Sequence, residues 1–299
     1  MVLVQQRHVV ARDGTRIGYQ VHGEGPCVVL ANGLGGTHVT WKYFYDALAG
    51  YRAICWDYRG LFTSDAPADP RANTVAHQVD DLIAILDAEH VTDFVIVGWS
   101  MGVQVAFETI RRHGARVRGL YAINGTYGHT FKTVMGSRLV GQTIPMLLRL
   151  VRAQAELVGR ATKRLAGSSA LIGAMKRVGL VSETIDLDVF RAVAASFVGV
   201  DWRIYSDLLT RLDEHDAEEV LATIDIPVAI ATGDKDLMTP PATAEHMHRT
   251  IRGSRLVVIE GGTHYTPVEY PAILVEELAR LLARVPGWEK RQAAAAGAR

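Results

Sequence analysis

Residues 94–107 read FVIVGWSMGVQVAF: an apolar run, a serine between two glycines, and a second apolar run. The first run has the length and β-branched content of a buried strand, whereas apolar residues recur at helical spacing in the second. The turn between them must be very tight. It therefore forces strained backbone angles on Ser100, and only glycine at Gly98 and Gly102 leaves room for it. The stretch predicts a strand, a sharp turn and a helix, with the Ser100 hydroxyl presented above the edge of a sheet.

The composition bounds the domain count and the partners. With 299 residues and 48% hydrophobic content, the chain can bury one large core and carry an inserted module. Lysine plus arginine equals aspartate plus glutamate, 32 each, so no overall field attracts nucleic acid and no such partner is expected. Cys27 and Cys55 lie in apolar, strand-like runs, which is typical of buried small side chains rather than of a redox or metal pair.

The first ten residues, MVLVQQRHVV, contain no long hydrophobic region with a cleavage site, so a secretory signal is not expected. No stretch reaches the roughly 18 consecutive apolar residues that a membrane-spanning helix needs. The expected location is therefore cytoplasmic, without a membrane span.

Most of the chain alternates between short apolar strands and helices. Asp13 and Gly14 first predict a hairpin between two alternating runs. The following strands are CVVLANG, RAICWDYRG, FVIVGWS, RGLYAING, IPVAIATGD and SRLVVIEGG, separated by helices. This is the pattern of a parallel sheet that helices cover on both faces. The rhythm breaks over residues 128–219, where several helix-like segments occur and no strand is predicted.

Two later strands end in residues that are able to complete a catalytic group with Ser100. VAIATG presents Asp234 and Asp236 at its carboxyl end, and His264 follows the last strand in EGGTHYTP. Open α/β sheets build their sites at the carboxyl ends of their strands, so these side chains are expected near one another. A neutral serine hydroxyl is a poor nucleophile. An imidazole must take its proton as it attacks, and a carboxylate must orient that imidazole.

The G-x-S-x-G motif at residues 98–102, with an acid and then a histidine after later strands, resembles the cap-bearing serine hydrolases of the α/β-hydrolase superfamily. The resemblance implies the α/β-hydrolase fold, of class α/β: a mostly parallel sheet flanked by helices, with a helical cap inserted between the sixth and seventh strands. The implied boundaries are a hydrolase core of residues 1–127 and 220–285, a helical cap of residues 128–219, and a flexible tail of residues 286–299.

The same resemblance assigns catalytic roles to single residues. Family spacing to the neighbouring glycine and proline selects Asp236 as the acid beside Ser100 and His264, and makes Asp234 a turn residue. Some relatives carry the acid after the sixth strand, but Asn124 stands there in this chain, and an amide cannot stabilise an imidazolium as a carboxylate can. No metal or cofactor is implied, because HExxH, paired CxxC and a phosphate-cradling glycine loop do not occur.

The resemblance also implies an oxyanion hole. It consists of the backbone N–H groups of Leu34, in the loop ANGLGG, and of Met101, directly after the serine. The glycines of the elbow and of this loop are Gly33, Gly98 and Gly102. Most relatives have a histidine before the loop glycine, whereas this chain has Asn32, so the hydrogen bonds that anchor the loop must differ.

Three residues are candidates for lining the pocket: Asn32, Trp99 and Phe62. Phe62 replaces the usual glycine of an RGxGxS turn in DYRGLFTSD. Its ring either points toward the pocket or repacks the turn, and the second interpretation is preferred.

The implied function is a serine hydrolase that cleaves a carboxylic ester, thioester or lactone through an acyl-enzyme on Ser100. A helical cap is expected to cover a mainly apolar acyl or alcohol part, so the expected partner is a small apolar or amphiphilic ester. Haloalkane dehalogenases and epoxide hydrolases of this fold use an elbow aspartate and a proline where Gly35 stands, so neither activity is expected. Perhydrolase, acyltransferase or carbon–carbon hydrolase chemistry remains open, as do a non-catalytic receptor role and a homo-oligomer.

Residues 132–177 carry nine lysines and arginines against one acid, Glu156. The apolar residues between them include Ile144, Met146, Leu147, Leu148, Leu150 and Val151. Basic amphipathic helices of this kind can lie on an anionic membrane or receive an acidic amphiphile. The preferred interpretation is that the apolar stripe packs onto the core while the basic stripe is solvated.

Overall fold

The computed structural model describes residues 4–133 and 138–288, and within them the strands form one eight-stranded sheet. The strands are β1 (Gln5–Val10), β2 (Arg16–His22), β3 (Cys27–Ala31), β4 (Arg52–Trp56), β5 (Phe94–Trp99), β6 (Val117–Ile123), β7 (Val228–Gly233) and β8 (Arg255–Ile259). Their order across the sheet is β1-β2-β4-β3-β5-β6-β7-β8. β2 is antiparallel to both of its neighbours and all other pairs are parallel, which confirms the predicted mostly parallel sheet.

The predicted hairpin joins β1 and β2 at Asp13 and Gly14. Gly14 has a φ of 86°, a conformation that glycine adopts without strain, and its N–H donates to the carbonyl of Ala11 at 2.9 Å. The Asp13 carboxylate accepts the Thr15 N–H at 3.1 Å and so closes the turn.

Helices cover both faces of the sheet. The described helices are α1 (Lys42–Ala47), α2 (Val75–Ala88), α3 (Met101–His113), α4 (Thr130–Thr133), α5 (Arg138–Ala153), α6 (Ala155–Leu165), α7 (Ser169–Arg177), α8 (Leu187–Ser196), α9 (Trp202–Glu214), α10 (Glu218–Leu221), α11 (Pro241–Thr250), α12 (Thr266–Glu269) and α13 (Pro271–Leu282). Short 3-10 turns lie at His38–Trp41, Pro70–Ala72, Gly114–Arg116 and Phe197–Gly199.

The core has two apolar layers, one on each side of the sheet. Alternate residues of a strand point to opposite faces, so Val29 and Ile96 pack with α2 and α3, whereas Val28 and Val97 pack with α1 and α13. Because both faces are covered, the central strands are apolar at nearly every position, and this is why they read as continuous hydrophobic runs in the sequence.

The segment between β6 and β7 holds α4 to α10, the helical cap that the sequence predicts. Its two ends meet in an antiparallel bridge between Gly128 and Asp216, and the Ala217 N–H donates to the carbonyl of Tyr127 at 3.0 Å. The cap therefore leaves and re-enters the core at one place.

A cap arm, residues 181–189, also docks on the core. The carboxylate of Asp186 accepts the Tyr43 hydroxyl at 2.6 Å and the Lys42 ammonium at 3.1 Å, while the Asp186 N–H donates to Val268 at 2.9 Å. Burial opposes ionisation of Asp186, but the hydrogen bonds from Tyr43 and Lys42 help to lower its pKa to about 2. The cap is thus attached both at its root and at this arm.

The apolar residues of α5 do not all face inward. Ile144, Leu148 and Val151 are half-buried, in a helix that packs on α9. Met146, Leu147 and Leu150 are exposed. The preferred interpretation, in which the whole apolar stripe packs onto the core, is therefore wrong for these three residues.

The remaining sequence features are located as follows. Cys27 and Cys55 are buried and unpaired, and they belong to different apolar layers. Trp288 is buried and its ring centroid lies 5.9 Å from that of Tyr51, while residues 289–299 of the predicted tail lie outside the described residues. In the part of the chain that the structure describes, no helix combines the length and apolar character needed to cross a bilayer.

Candidate active site

The turn after β5 holds Ser100 in a conformation that few residues adopt. Its φ of 55° and ψ of −117° lie outside the regions that side chains favour. A Cβ atom at Gly98 would overlap the carbonyl of Gly102, and one at Gly102 would overlap the carbonyl of Ala31. Glycine is therefore required at both positions if the helix is to start directly after the serine.

Ser100, His264 and Asp236, which the sequence places in three separate loops, form one chain of hydrogen bonds. Ser100 Oγ lies 2.8 Å from His264 Nε2. His264 Nδ1 lies 2.9 Å from Asp236 Oδ2 and 3.2 Å from Oδ1. Because a carboxylate only accepts, Nδ1 is the donor, which leaves Nε2 free to accept the serine proton.

The Asp236 carboxylate is buried but well supplied with donors. It accepts the N–H groups of Met238 and Thr239 at 2.8 Å each, the Thr239 hydroxyl at 2.8 Å and the Asn124 amide at 2.7 Å. Burial alone would raise the pKa of Asp236, but its interaction with His264 and these hydrogen bonds outweigh burial and hold the pKa below the usual value. The acid is therefore ionised at neutral pH.

Asn124 is a site residue whose role the sequence does not predict. In the sequence it marks only the position after the sixth strand where some relatives carry the catalytic acid. It follows β6 with a φ of 44°, and its amide donates to Asp236 and, at 3.1 Å, to the carbonyl of Thr263. The side-chain carbonyl oxygen of Asn124 accepts a hydrogen bond from the hydroxyl of Thr266. Asn124 thus ties the acid loop to the histidine loop, and the signal for it was its position at the end of a neighbouring strand.

Asp234 has a different role. Its carboxylate accepts the Gly261 N–H at 2.8 Å, in the turn before the histidine loop, and has no contact with His264. This arrangement agrees with the turn role that the resemblance implies.

Glu269 braces the histidine loop from inside. It accepts the Thr263 N–H at 2.9 Å and the Thr263 hydroxyl at 2.7 Å, and from the cap arm it accepts the Ser182 N–H at 2.7 Å. The backbone carbonyl of His264 accepts the Trp99 indole N–H at 2.9 Å. The imidazole is therefore fixed from the cap side and from the elbow side.

The backbone N–H groups of Leu34, in the loop after β3, and of Met101, the first residue of α3, are the two donors that the resemblance assigns to an oxyanion hole. Neither donates a hydrogen bond to any atom of the described residues. Gly35, with a φ of 83°, and a Gly36-to-Gly33 hydrogen bond of 2.8 Å shape the loop that presents Leu34. The Met101 N–H directly follows Ser100 at the positive end of α3, a position that suits a developing negative charge.

Asn32 lies beneath this loop and does not line the pocket. Its side chain is fully buried, donates to the carbonyl of Trp56 at 2.8 Å and accepts the Trp41 indole N–H at 2.8 Å. Its backbone carbonyl accepts the Tyr58 hydroxyl at 2.6 Å. Asn32 is an anchor for the loop.

Trp99 fills the space under the same loop. An ideal Cβ at Gly33 would lie 2.8 Å from its ring and one at Gly36 would lie 2.9 Å from it. The ring also faces His264, with centroids 5.9 Å apart. Trp99 is therefore buried between the loop of Gly33 and Gly36 and the histidine loop, and it supports both; only 5% of it is exposed.

The cap supplies aromatic side chains above the oxyanion loop. A Cβ at Gly35 would overlap the ring of Phe197, and the Tyr205 hydroxyl reaches the carbonyl of Leu34 at 3.5 Å. Phe62 keeps a glycine-like φ of 53°, and its ring lies edge-on to Phe197 with centroids 6.5 Å apart. Aromatic rings from both the core and the cap therefore lie against the loop that holds Leu34 and Gly35. Among the described residues, no three histidine, cysteine or acidic side chains are grouped as a metal would require.

Comparisons with known proteins agree with the fold. The model of the alpha/beta hydrolase family matches residues 28–277. An uncharacterized protein of Mycobacterium tuberculosis is 29% identical over 296 residues, which cover 94% of this chain and 82% of that protein. The pimeloyl-(acyl-carrier protein) methyl ester esterase of Neisseria meningitidis is 28% identical over 246 residues, 79% of this chain and 86% of the esterase. The crystal structure of an esterase from Rhodococcus sp. matches with a TM-score of 0.72 and 26% identity, covering 94% of this chain and 99% of the other.

Proposed function

The chain belongs to the alpha/beta hydrolase family, and we propose that it is a serine hydrolase that cleaves carboxylic esters through an acyl-enzyme on Ser100. The observation that carries the proposal is the hydrogen-bond path from Ser100 through His264 to Asp236, with distances of 2.8 and 2.9 Å. A serine beside a base that is itself oriented by an acid is the arrangement that activates a hydroxyl for attack.

In the proposed reaction, His264 Nε2 takes the hydroxyl proton while Ser100 Oγ forms a bond to the ester carbonyl carbon. The carbonyl oxygen becomes an oxyanion and accepts the N–H groups of Leu34 and Met101, each worth on the order of 3 kcal/mol. The intermediate expels the alcohol, which takes the proton from His264, and acyl-Ser100 remains. A water molecule then gives a proton to the same imidazole and attacks the acyl carbon. The bond between the acyl carbon and Ser100 Oγ breaks, Oγ takes the proton back from His264, and the carboxylic acid leaves.

Asp236 acts on the imidazole rather than on the substrate. Its ionised carboxylate holds Nδ1–H, so that Nε2 faces Ser100, and it stabilises the imidazolium that forms in each step. Asn124 and Thr239 keep that carboxylate in place through hydrogen bonds of 2.7 and 2.8 Å.

The proposed substrate is an ester with a mainly apolar acyl or alcohol part. Phe197, Phe62 and Tyr205 lie around the oxyanion loop, and Phe190 of the cap lies edge-on to Tyr265, next to the catalytic histidine. Such rings favour an apolar group over a charged one. The names of the Neisseria and Rhodococcus relatives support the ester class, since both are esterases.

The experiment is hydrolysis of a p-nitrophenyl ester series from acetyl to palmitoyl by the wild type and by Ser100→Ala. We expect turnover with an optimum at intermediate acyl length and its loss in Ser100→Ala. Ser196→Ala, at the half-buried end of α8, is the matched control and retains activity. Turnover that survives in Ser100→Ala contradicts the proposal. A flat profile, or a strict preference for acetyl, contradicts the apolar pocket.

A fluorophosphonate probe separates a reactive serine from turnover. We expect stoichiometric labelling at Ser100 in the wild type and none in the alanine variant. Labelling without hydrolysis of any ester would refute ester hydrolysis as the function. Adding methanol or hydrogen peroxide to the ester assay shows whether the acyl group passes to an acceptor other than water.

A further inference from the structure

The outer surface of the cap exposes large apolar side chains. The outer cap face is defined by Met146, Leu147 and Leu150 of α5 with Leu157 and Leu165 of α6. Their exposed fractions run from 51% for Leu165 to 76% for Met146. Side chains on the opposite faces of both helices, such as Leu148 and Ala155, are the ones that pack inward. Grouped exposed apolar residues mark contact surfaces.

Positive charge accompanies these apolar residues. Arg149, Arg160, Lys163 and Arg164 are exposed on the same two helices, and none of them forms an ion pair with a residue that the structure describes. The acid of this segment, Glu156, lies 3.4 Å from a guanidinium nitrogen of α9 and so does not offset them.

The two kinds of residue are arranged in adjoining rows. On α6, Leu157 and Leu165 are two turns apart on the exposed side, and Arg160 and Arg164 occupy the next row at a spacing of four residues. On α5, Arg149 lies three residues after Met146, a spacing that makes the two side chains neighbours on the helix surface. Each helix thus presents apolar side chains bordered by arginines, which is how amphipathic helices lie in the headgroup region of a bilayer.

We propose that the outer cap face binds peripherally to an anionic lipid surface. The leucines and the methionine enter the boundary between headgroups and acyl chains, and the arginines and lysine contact the lipid phosphates. A symmetric contact with a second copy would bring the same four cations of both chains together, which disfavours it. An acidic polymer would neutralise the charges but would leave the leucines exposed to water.

The position of the outer cap face determines where a bound bilayer would lie relative to the candidate active site. α5 and α6 both pack on α9, and Tyr205 of α9 reaches the carbonyl of Leu34 at 3.5 Å. A bilayer on the outer cap face would therefore lie above the roof of the candidate active site. The binding itself does not depend on the proposed function, and it is measured without any reaction.

The test is flotation of the full chain with vesicles of phosphatidylcholine alone or of a two-to-one mixture of phosphatidylcholine and phosphatidylglycerol. We expect binding to the mixed vesicles at about 0.1 M salt and its loss at about 1 M, where the Debye length has fallen from about 10 Å to about 3 Å. Arg160→Glu with Arg164→Glu should lower the bound fraction at least about tenfold. Leu147→Ser with Leu150→Ser should also lower it.

Matched controls make the same changes elsewhere. Arg12→Glu with Arg252→Glu alters two exposed arginines of the core, and Val10→Ser with Val258→Ser alters two exposed valines of the sheet. Both control proteins should bind as the wild type does. The melting temperature of every variant is measured, so that only proteins that are folded in the flotation assay are compared.

Four results would overturn the proposal. They are the absence of flotation with mixed vesicles at low salt, equal flotation with phosphatidylcholine alone, an equal loss in the arginine controls, and a wild-type dimer that Leu147→Ser with Leu150→Ser converts to a monomer. The last result would assign the face to a second copy of the chain.

Discussion

The side-chain amide of Asn124 donates a hydrogen bond to the carboxylate of Asp236 over 2.7 Å. The two residues follow β6 and β7, which are neighbouring parallel strands. Amide and acid thus occupy adjacent strand ends, and the amide stabilises the charged form of the acid that contacts His264. Asn124 adopts a φ of 44°, a region that asparagine and aspartate enter more readily than most residues.

Asn124→Asp should reveal this support. It keeps the size of the side chain and the tolerance of positive φ, but it replaces a donor with a second carboxylate. Two carboxylates this close share a proton, so the pKa of the pair rises and activity is lost at a higher pH as the solution is acidified. We expect kcat/KM at neutral pH to fall about tenfold or more. Asn124→Gly, which lacks the donor and adds no charge, should lower kcat and move the acid limb in the same direction, but by less than Asn124→Asp does. An unchanged pH profile in Asn124→Asp would argue against the assigned role.

Asp236→Asn should lower kcat by roughly four orders of magnitude with the fold intact, because the imidazole loses the carboxylate that sets its tautomer. The matched change is Asp234→Asn, which alters a carboxylate that accepts the Gly261 N–H and lies 3.6 Å from the Lys235 ammonium. We expect Asp234→Asn to cost about 1 kcal/mol of stability and to change kcat little. Steady-state kinetics with thermal melts distinguish the two. A nearly silent Asp236→Asn would mean that another acid holds His264.

Ser100→Gly should be more stable than Ser100→Ala. The φ of 55° and ψ of −117° at this position strain any residue with a Cβ, and glycine removes that strain. We expect a difference of about 1–3 kcal/mol in the free energy of unfolding, measured by denaturant titration. Neither variant should hydrolyse esters, so the comparison isolates the backbone. Equal stabilities would indicate that the elbow is relaxed.

Phe197→Ala should shift the preferred acyl length upward. The ring lies against Gly35 and Phe62, so its removal enlarges the space above the oxyanion loop. Val198→Ala changes the adjacent exposed residue and should leave the profile unaltered. The p-nitrophenyl series measures both. A loss of activity at every length with no shift would place Phe197 away from the acyl group.

The contact that the Asp186 carboxylate makes with Tyr43 and Lys42 should stabilise the protein at neutral and mildly acidic pH, but not at strongly acidic pH. Its pKa is lowered from 3.8 to about 2, so the ionised carboxylate stabilises the folded chain fully above its unfolded pKa. The contribution is lost as the pH falls through about 4 toward about 2. We expect Asp186→Asn to melt below the wild type at pH 6 and the gap to close in that acidic window, as followed by circular dichroism. A gap that persists at pH 2 would show that charge is not its cause.

The sequence identified the fold because its decisive features are local. A buried strand, a glycine-relieved turn and a helix follow one another within residues 94–107, and each obeys a short-range rule. Strand ends also bring Ser100 and His264 together with the pair Asp234 and Asp236, but the choice of Asp236 as the acid comes from the family resemblance. Such features can be predicted from residues that are close together in the sequence.

Other features depend on what lies opposite a side chain. Asn124 supports the acid through a neighbour 112 residues away, a pairing that no spacing rule contains. Asn32 was a candidate pocket residue, but Trp41 and Trp56 bind its amide from below the loop. The periodicity of α5 shows that the helix is amphipathic but not how much of its apolar side α9 covers, so Met146 and Leu150 were assigned to the interior incorrectly.

The indole of Trp99 has a consequence for how this chain can change over generations. It occupies the volume that side chains at Gly33 and Gly36 would need, although more than sixty positions separate them from it in the chain. A residue larger than glycine fits at either loop position only after Trp99 has been replaced by a smaller side chain. Replacing Trp99 while both glycines remain leaves a void beneath the loop. Descendants of this sequence should therefore alter the elbow and the loop as a pair, in a fixed order.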